Sequence, residues 1–95
     1  MILVIATVRV VPRLHVEYEA ALADIMPKVR AANPGILFYH AGRCREEENI
    51  YRIIEAYADR AAMDRHISSA SLQTSLATLK PIIADIEIKL HDVVA

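Results

Sequence analysis

The sequence predicts an α+β fold of ferredoxin-like type, βαββαβ, with an antiparallel sheet and both helices on one of its faces. Three observations support this fold class. Segments rich in β-branched residues alternate with segments of helical periodicity, and only a short acidic segment separates the second and third predicted strands. The chain has 95 residues, a hydrophobic fraction of 55% and a net charge of −1, which is typical of one globular domain spanning residues 1–95.

The first predicted strand runs from Ile2 to Val11 and ends at Pro12, which has no N–H to donate to a sheet. Both of its faces are mainly apolar, so each face needs a cover. The next segment predicts the clearest helix of the chain, and its end is predicted at Asn33-Pro34-Gly35, with a bend at Pro27. The apolar stripe of this helix consists of Leu14, Tyr18, Leu22, Ile25, Val29 and Ala32.

The second and third strands are predicted at Gly35 to Cys44 and at Ile50 to Tyr57. Because only the acidic segment Arg45 to Asn49 joins them, we expect an antiparallel hairpin. Asp59 is the predicted N-cap of the next helical segment, which Ser68 to Ser71 interrupts. Helical spacing then resumes at Leu72, Leu76, Leu79 and Ile83.

The fourth predicted strand, Asp85 to Asp92, alternates apolar and polar residues, as edge strands often do. Two helices cover one face of such a sheet, whereas the first and third strands are apolar on both faces. We therefore expect a homodimer in which two copies pack sheet to sheet.

Composition argues against several classes of function. A net charge of −1 with five aromatic residues gives neither the basic patch nor the stacking surface of a nucleic-acid-binding protein. The longest apolar stretch, Met1 to Ala6, is too short to span a membrane and lacks a preceding basic segment, so we expect a cytoplasmic protein. The four histidines and the single Cys44 have no zinc-site spacing, so no metal is expected.

Three segments of the chain resemble the antibiotic biosynthesis monooxygenase family. They are the opening strand closed by Pro12, Asn33-Pro34-Gly35 leading into a strand with Tyr39, and the stretch from Glu55 through Tyr57 and Asp59 to His66. The resemblance covers nearly the whole chain and implies a dimeric α+β barrel. It also implies relatives that oxygenate quinols and anthrones without a cofactor, besides relatives with other activities, so the fold does not settle the function.

The chain departs from the family pattern at one position of that last stretch and at one position five residues after it. Tyr57 stands where many members have Trp, and Ser71 stands where many have a second His. Haem-degrading relatives place an amide side chain where this chain has Val8, so we expect neither haem nor any other cofactor.

His66, Tyr57 and Glu55 are the candidate catalytic residues. Oxygenation without a cofactor needs a base that deprotonates a phenol or quinol, and histidine is the residue type best suited to that task near neutral pH, so His66 is the candidate. Tyr57 is a candidate donor to the resulting anion. Glu55 interrupts an apolar strand and either orients His66 or a substrate hydroxyl, or pairs with an arginine such as Arg9.

Tyr39 and Tyr51 are the candidate substrate-binding residues, because a tyrosine offers both a flat ring and a hydroxyl. Each of the tyrosines is equally interpretable as a core aromatic, and His66 as a structural histidine. His40 shares a strand with Tyr39 but points to the opposite face.

The sequence thus predicts a pocket between sheet and helices that takes a small aromatic or quinol-type substrate. Two other functions stay open. The first is a non-catalytic small-molecule-binding dimer, favoured by the departures at Tyr57 and Ser71. The second is an isomerase of a small ketone, such as a phosphorylated one; Arg9, Arg43, Arg45 and Arg52 are its scattered phosphate candidates.

Overall fold

The computed structural model describes residues 1–95 and contains four strands and three helices. In chain order these are β1 (Ile2–Val10), α1 (His15–Ala32), β2 (Ile36–Arg43), β3 (Ile50–Tyr57), α2 (Arg60–Ile67), α3 (Ala70–Leu79) and β4 (Ile83–Asp92). The strands form one antiparallel sheet in the order β2-β3-β1-β4. This arrangement confirms the predicted ferredoxin-like fold, with β4 at one edge.

The second helical segment is broken as predicted, but its end was predicted wrongly. Ile83 has helical spacing with Leu79, yet it is the first residue of β4, two residues before the predicted start at Asp85. The helix ends at Leu79, and the N–H of Val11 donates to the carbonyl of Ile82 at 2.9 Å. The chain has therefore already joined the sheet at Ile82, and the four-residue spacing of the two apolar residues is coincidental.

The long helix α1 matches the prediction with small shifts. It starts at His15 after Leu14 and ends at Ala32, and its buried residues are Tyr18, Leu22, Met26 and Val29. Ala32, predicted to lie in the buried stripe, is exposed. The ends of the strands also shift by a residue, because Val11, Gly35 and Cys44 lie just outside β1 and β2.

The two faces of the sheet differ in what covers them. Val4, Ala6 and Val8 of β1 point toward the helices and are buried. The other face carries apolar side chains that no helix covers; among them Phe38 is 47% exposed and Ile54 is 39% exposed. The single chain therefore has an uncovered apolar sheet face, as the sequence predicts.

The edge strand β4 presents a second set of exposed apolar side chains. Ile86, Ile88 and Leu90 pair in register with Val8, Ala6 and Val4, so they share the helix side of the sheet. They are nevertheless exposed, because the helices extend over the other strands more than over this edge. None of the three helices is long and apolar enough to cross a membrane.

Candidate active site

Four of the five predicted site residues come together on the helix side of the sheet. Tyr39 pairs in register with Glu55 across β2 and β3, and Tyr57 follows Glu55 at the next position on the same face of β3. His66 reaches the same place from α2. We call Tyr39, Glu55, Tyr57 and His66 the His66 cluster.

The position of His66 depends on how α2 begins. The carboxylate of Asp59 accepts a hydrogen bond from the N–H of Ala62 at 2.9 Å, which confirms it as the N-cap. The buried residues of this helix are Ala62, Met63 and His66, one turn apart on the face that meets the sheet. A side chain at Gly35 would bring a Cβ to 3.0 Å from the Cβ of Ala62, so the start of β2 and the helix are closely packed.

The imidazole of His66 is enclosed by the other three members of the cluster. Its ring is stacked on Tyr57, with centroids 6.0 Å apart and an interplanar angle of 30°, and it meets Tyr39 edge to face at 5.8 Å. Nε2 lies 3.3 Å from Oε1 of Glu55, and the side chain of His66 is only 3% exposed. Of the two alternatives for Glu55, the structure supports contact with His66 rather than with an arginine such as Arg9.

Glu55 determines which nitrogen of His66 is available for chemistry. A carboxylate beside Nε2 favours the tautomer that carries its proton there, which leaves the lone pair on Nδ1. Nδ1 is buried and has no hydrogen-bond partner, and the same holds for the hydroxyl of Tyr57. Since buried polar atoms are normally paired, two unpaired ones in contacting side chains point to a place where a ligand's polar atoms fit.

The two tyrosines of the cluster are held in the protonated form. Burial raises the pKa of Tyr39 to about 12, the charge of Glu55 acts in the same direction, and Arg30 opposes both. Burial also raises the pKa of Tyr57, and the Glu55 carboxylate adds to this by its charge and as a nearby acceptor. Both phenols are therefore hydrogen-bond donors at neutral pH, which suits them to stabilise an anion.

Tyr51, the fifth predicted residue, lies elsewhere. It is six residues from Tyr57 along β3, and its hydroxyl donates to a carboxylate oxygen of Glu19 at 2.5 Å. Its ring meets Tyr18 edge to face, with centroids 4.8 Å apart. His40 lies on the opposite face of the sheet, as predicted, where its ring packs on Phe38.

Sequence reasoning missed the polar residues that α1 contributes to the sheet. The guanidinium of Arg30 donates to the carbonyl of Tyr39 through Nε at 3.2 Å and Nη2 at 2.8 Å, which ties α1 to β2 beside the cluster. Glu19 contacts both Tyr51 and Arg43. No spacing in the sequence indicates these contacts, because each joins residues of different elements.

The predicted pocket between sheet and helices is found, but not at the His66 cluster. A cavity of about 450 Å³ lies between α1 and β2 and includes Tyr51, whereas none of the five main cavities is lined by a member of the cluster. His66 and Tyr57 are 2% and 0% exposed, so the cluster is closed. No group of three or more His, Cys, Asp or Glu side chains is placed to hold a metal ion.

Comparison with known proteins agrees with this fold. The antibiotic biosynthesis monooxygenase family model matches residues 1–77. A structure from Caulobacter crescentus CB15, described as a putative antibiotic biosynthesis monooxygenase, is 33% identical over 99% of this chain and 90% of its own, with a TM-score of 0.92. No curated protein matches the sequence.

More distant structures share the fold alone. A Deinococcus radiodurans protein with the same description is 18% identical, with 100% of this chain and 94% of its own covered and a TM-score of 0.89. A conserved protein from Methanosarcina mazei Go1 is 21% identical, with 95% and 89% covered and a TM-score of 0.86.

Proposed function

The chain belongs to the antibiotic biosynthesis monooxygenase family, and on that premise we propose that it oxygenates a small aromatic or quinol-type substrate without a cofactor. The observation that carries the proposal is the pair of buried, unpartnered polar atoms in the His66 cluster, Nδ1 of His66 and the hydroxyl of Tyr57. One is a base and the other a donor, and they belong to stacked rings. This is the pair of groups that deprotonation of a phenol requires.

The chemistry begins with transfer of the acidic substrate proton to Nδ1 of His66. Glu55, 3.3 Å from Nε2, stabilises the imidazolium that forms. Tyr57 and Tyr39 donate to the developing anion, whose negative charge makes the ring electron-rich enough to react with dioxygen. One oxygen atom enters the substrate and the other leaves as water, with the substrate supplying all the electrons.

Exclusion of water supports the same assignment. The imidazole is enclosed by aromatic rings, and a dry site strengthens the electrostatic interactions with a bound anion. Glu55 is more exposed than His66: 12% of its side chain is accessible to solvent, against 3% for His66. Because the cluster is closed, we infer that a substrate enters only after side chains or α2 move.

Oxygen uptake tests this proposal. Chelator-treated protein is assayed against a panel of hydroquinones and anthrones, with His66→Gln, Glu55→Gln and Tyr57→Phe beside the wild type. Tyr18→Phe is the matched control, because its hydroxyl is also buried and unpartnered but lies in the core under α1. We expect uptake that depends on the protein, falls in the first three variants and is unchanged in the control.

The closed cluster also favours a second candidate, a small-molecule-binding dimer without turnover. If no substrate raises oxygen uptake above buffer, while the same compounds raise the melting temperature of wild type and not of His66→Gln, the protein is a binding module. Uptake that is equal in wild type and His66→Gln would refute His66 as the base.

We also propose that the protein is a homodimer formed through the sheet face opposite the helices. Leu3, Ile5, Phe38 and Ile54 make this face apolar, and in the single chain Phe38 and Ile54 stay exposed. Exposed apolar patches of this kind on soluble proteins often mark contact surfaces. Two copies related by a two-fold axis would each cover the other's patch.

Light scattering after size exclusion tests the dimer. Ile54→Glu places a charge in the centre of the patch, and we expect it to shift the mass to that of a monomer. Val16→Glu is the control, because Val16 is a 64% exposed apolar residue on α1, away from the sheet. A wild-type monomer, or a dimer that survives Ile54→Glu, would contradict this interface.

A further inference from the structure

We propose that the cavity between α1 and β2 is a binding site for a small organic monocarboxylate with an apolar body. This site goes beyond the proposed oxygenation, because it uses other residues in another part of the sheet. Its volume, about 450 Å³, lies within the range of small-molecule sites.

The apolar side of the cavity comes from one face of α1. Leu22 and Met26 contribute buried side chains, with Ala23 and Pro27 beside them on the same helix. A methionine and a leucine give an adaptable apolar surface without polar atoms. This surface fits the hydrocarbon part of a ligand.

The charged side of the cavity carries an excess of one positive charge. Arg30 and Arg43 contribute two guanidinium groups and Glu19 one carboxylate. Arg43 Nε lies 3.4 Å from Oε2 of Glu19, so these two charges are paired with each other. Arg30 has no carboxylate partner; its contacts are with the carbonyl of Tyr39.

Glu19 is held in place and cannot reach Arg30, which follows it by eleven residues, about 16 Å along α1. Its Oε2 accepts the hydrogen bond of the Tyr51 hydroxyl as well as the contact with Arg43. Burial and this hydrogen bond raise the pKa of Tyr51 to about 12, so the hydroxyl remains a donor. The unpaired charge therefore stays on Arg30, whose remaining N–H groups are free to bind one carboxylate.

The side chains that line the cavity are not those of the His66 cluster, although Arg30 donates to the backbone carbonyl of Tyr39. Tyr51, which lines it, and Tyr57, which stacks on His66, are six residues apart on β3. At about 3.3 Å per residue this separation is on the order of 20 Å. Binding in the cavity therefore does not require His66.

An NMR titration of isotope-labelled protein at constant ionic strength tests the site. The probes are phenylacetate and its neutral counterpart phenylacetamide, which share the apolar body and differ in charge. We expect phenylacetate to shift amide signals of α1 and β2, and phenylacetamide to bind about tenfold more weakly, since a hydrogen bond to a charged group contributes that much.

Variants distinguish a specific binding site from nonspecific electrostatic attraction of anions. Arg30→Gln removes the guanidinium that we assign to the carboxylate, so we expect phenylacetate to bind about tenfold more weakly. Arg60→Gln, at an exposed position on α2, removes the same charge away from both the cavity and the proposed dimer face, and should change nothing. His66→Gln should also keep wild-type affinity, which separates this proposal from the oxygenase proposal.

Several results would overturn the proposal. These are equal binding of the amide, equal weakening by Arg30→Gln and Arg60→Gln, loss of binding in His66→Gln, or signal shifts confined to other parts of the chain. Displacement of phenylacetate by an equal concentration of inorganic phosphate would show an unselective anion site and would also overturn it.

Discussion

Replacing Tyr57 with phenylalanine is expected to stabilise the protein while it lowers turnover. The hydroxyl of Tyr57 is buried and forms no hydrogen bond of ordinary length; the Glu55 carboxylate acts on it only as a more distant acceptor, which raises its pKa. In the unfolded chain the same hydroxyl is hydrated, so folding loses hydrogen bonds to water and gains none. A hydroxyl kept at this cost is best explained by a ligand that it contacts.

The expected changes in the free energy of unfolding follow from comparing three tyrosines in different environments. An unsatisfied buried polar group costs about 1–3 kcal/mol, so Tyr57→Phe and Tyr18→Phe should each raise the free energy of unfolding by about 1 kcal/mol. Tyr51→Phe instead removes the hydrogen bond to Glu19 and should lower it by about 1.5 kcal/mol. Only Tyr57→Phe should lower turnover, by about 100-fold, the loss typical of one donor to an oxyanion.

Urea denaturation at one fixed protein concentration measures the stabilities, because the stability of a dimer depends on concentration. The midpoint should rise for Tyr57→Phe and Tyr18→Phe and fall for Tyr51→Phe, with unchanged slopes. A drop in the midpoint for Tyr57→Phe of the size seen for Tyr51→Phe would show that the hydroxyl has a structural partner. In that case its burial would no longer argue for a ligand.

Three further predictions concern stability. Burial raises the pKa of all four tyrosines above the ordinary 10.0, and three of them to about 12, so the folded state holds protons that the unfolded state releases. The free energy of unfolding should therefore be constant below pH 10 and fall toward pH 12. Tyrosinate absorbance should appear together with unfolding. Asp59→Ala removes the N-cap of α2 and should lower the free energy of unfolding, measured in urea, by about 1 kcal/mol. Asp59→Asn should retain most of the stability that the cap contributes. Gly35→Ala should cost about 1–3 kcal/mol because its Cβ would crowd that of Ala62, while Gly42→Ala, which meets nothing within 4 Å, should be neutral or slightly stabilising; equal effects of the two would contradict the close packing.

Much of the fold could be predicted from local sequence patterns. The periodicity of α1, the N-cap at Asp59 and the break at Ser68 to Ser71 each depend on residues close together in the chain. The errors occur where a long-range contact decides. Ile83 has the right spacing to extend α3, but the hydrogen bond between Val11 and Ile82 brings the chain into the sheet first.

The candidate site was predictable to the extent that strand parity determines which side chains share a face. Strand parity puts Glu55 and Tyr57 on one face, and the N-cap at Asp59 sets the start of the helix that carries His66 in its second turn. Tyr51 shares this parity, but it lies six residues from Tyr57 along β3. Along a strand, shared parity gives a shared face and leaves the separation open, so Tyr51 lies at a different site.

Contacts between α1 and the sheet follow no such rule. Arg30 and Glu19 are ordinary polar residues of a helix in the sequence, and only the packing of α1 over β2 and β3 brings them to Tyr39 and Tyr51. Their side chains reach across elements whose relative position depends on the whole core. A single sequence contains no local pattern from which such a pairing could be predicted.

The chain has two buried tyrosine hydroxyls without a hydrogen-bond partner, and only one of them belongs to a candidate site. Tyr18 and Tyr57 are equally buried and equally unpaired, yet the ring of Tyr18 packs among core side chains and the ring of Tyr57 stacks on a histidine whose own Nδ1 is unpaired. Burial alone therefore does not mark a site. A base and a donor on stacked side chains do, because one ligand with an acidic proton can satisfy both, whereas Tyr18 packs on the ring of Tyr51 in the core.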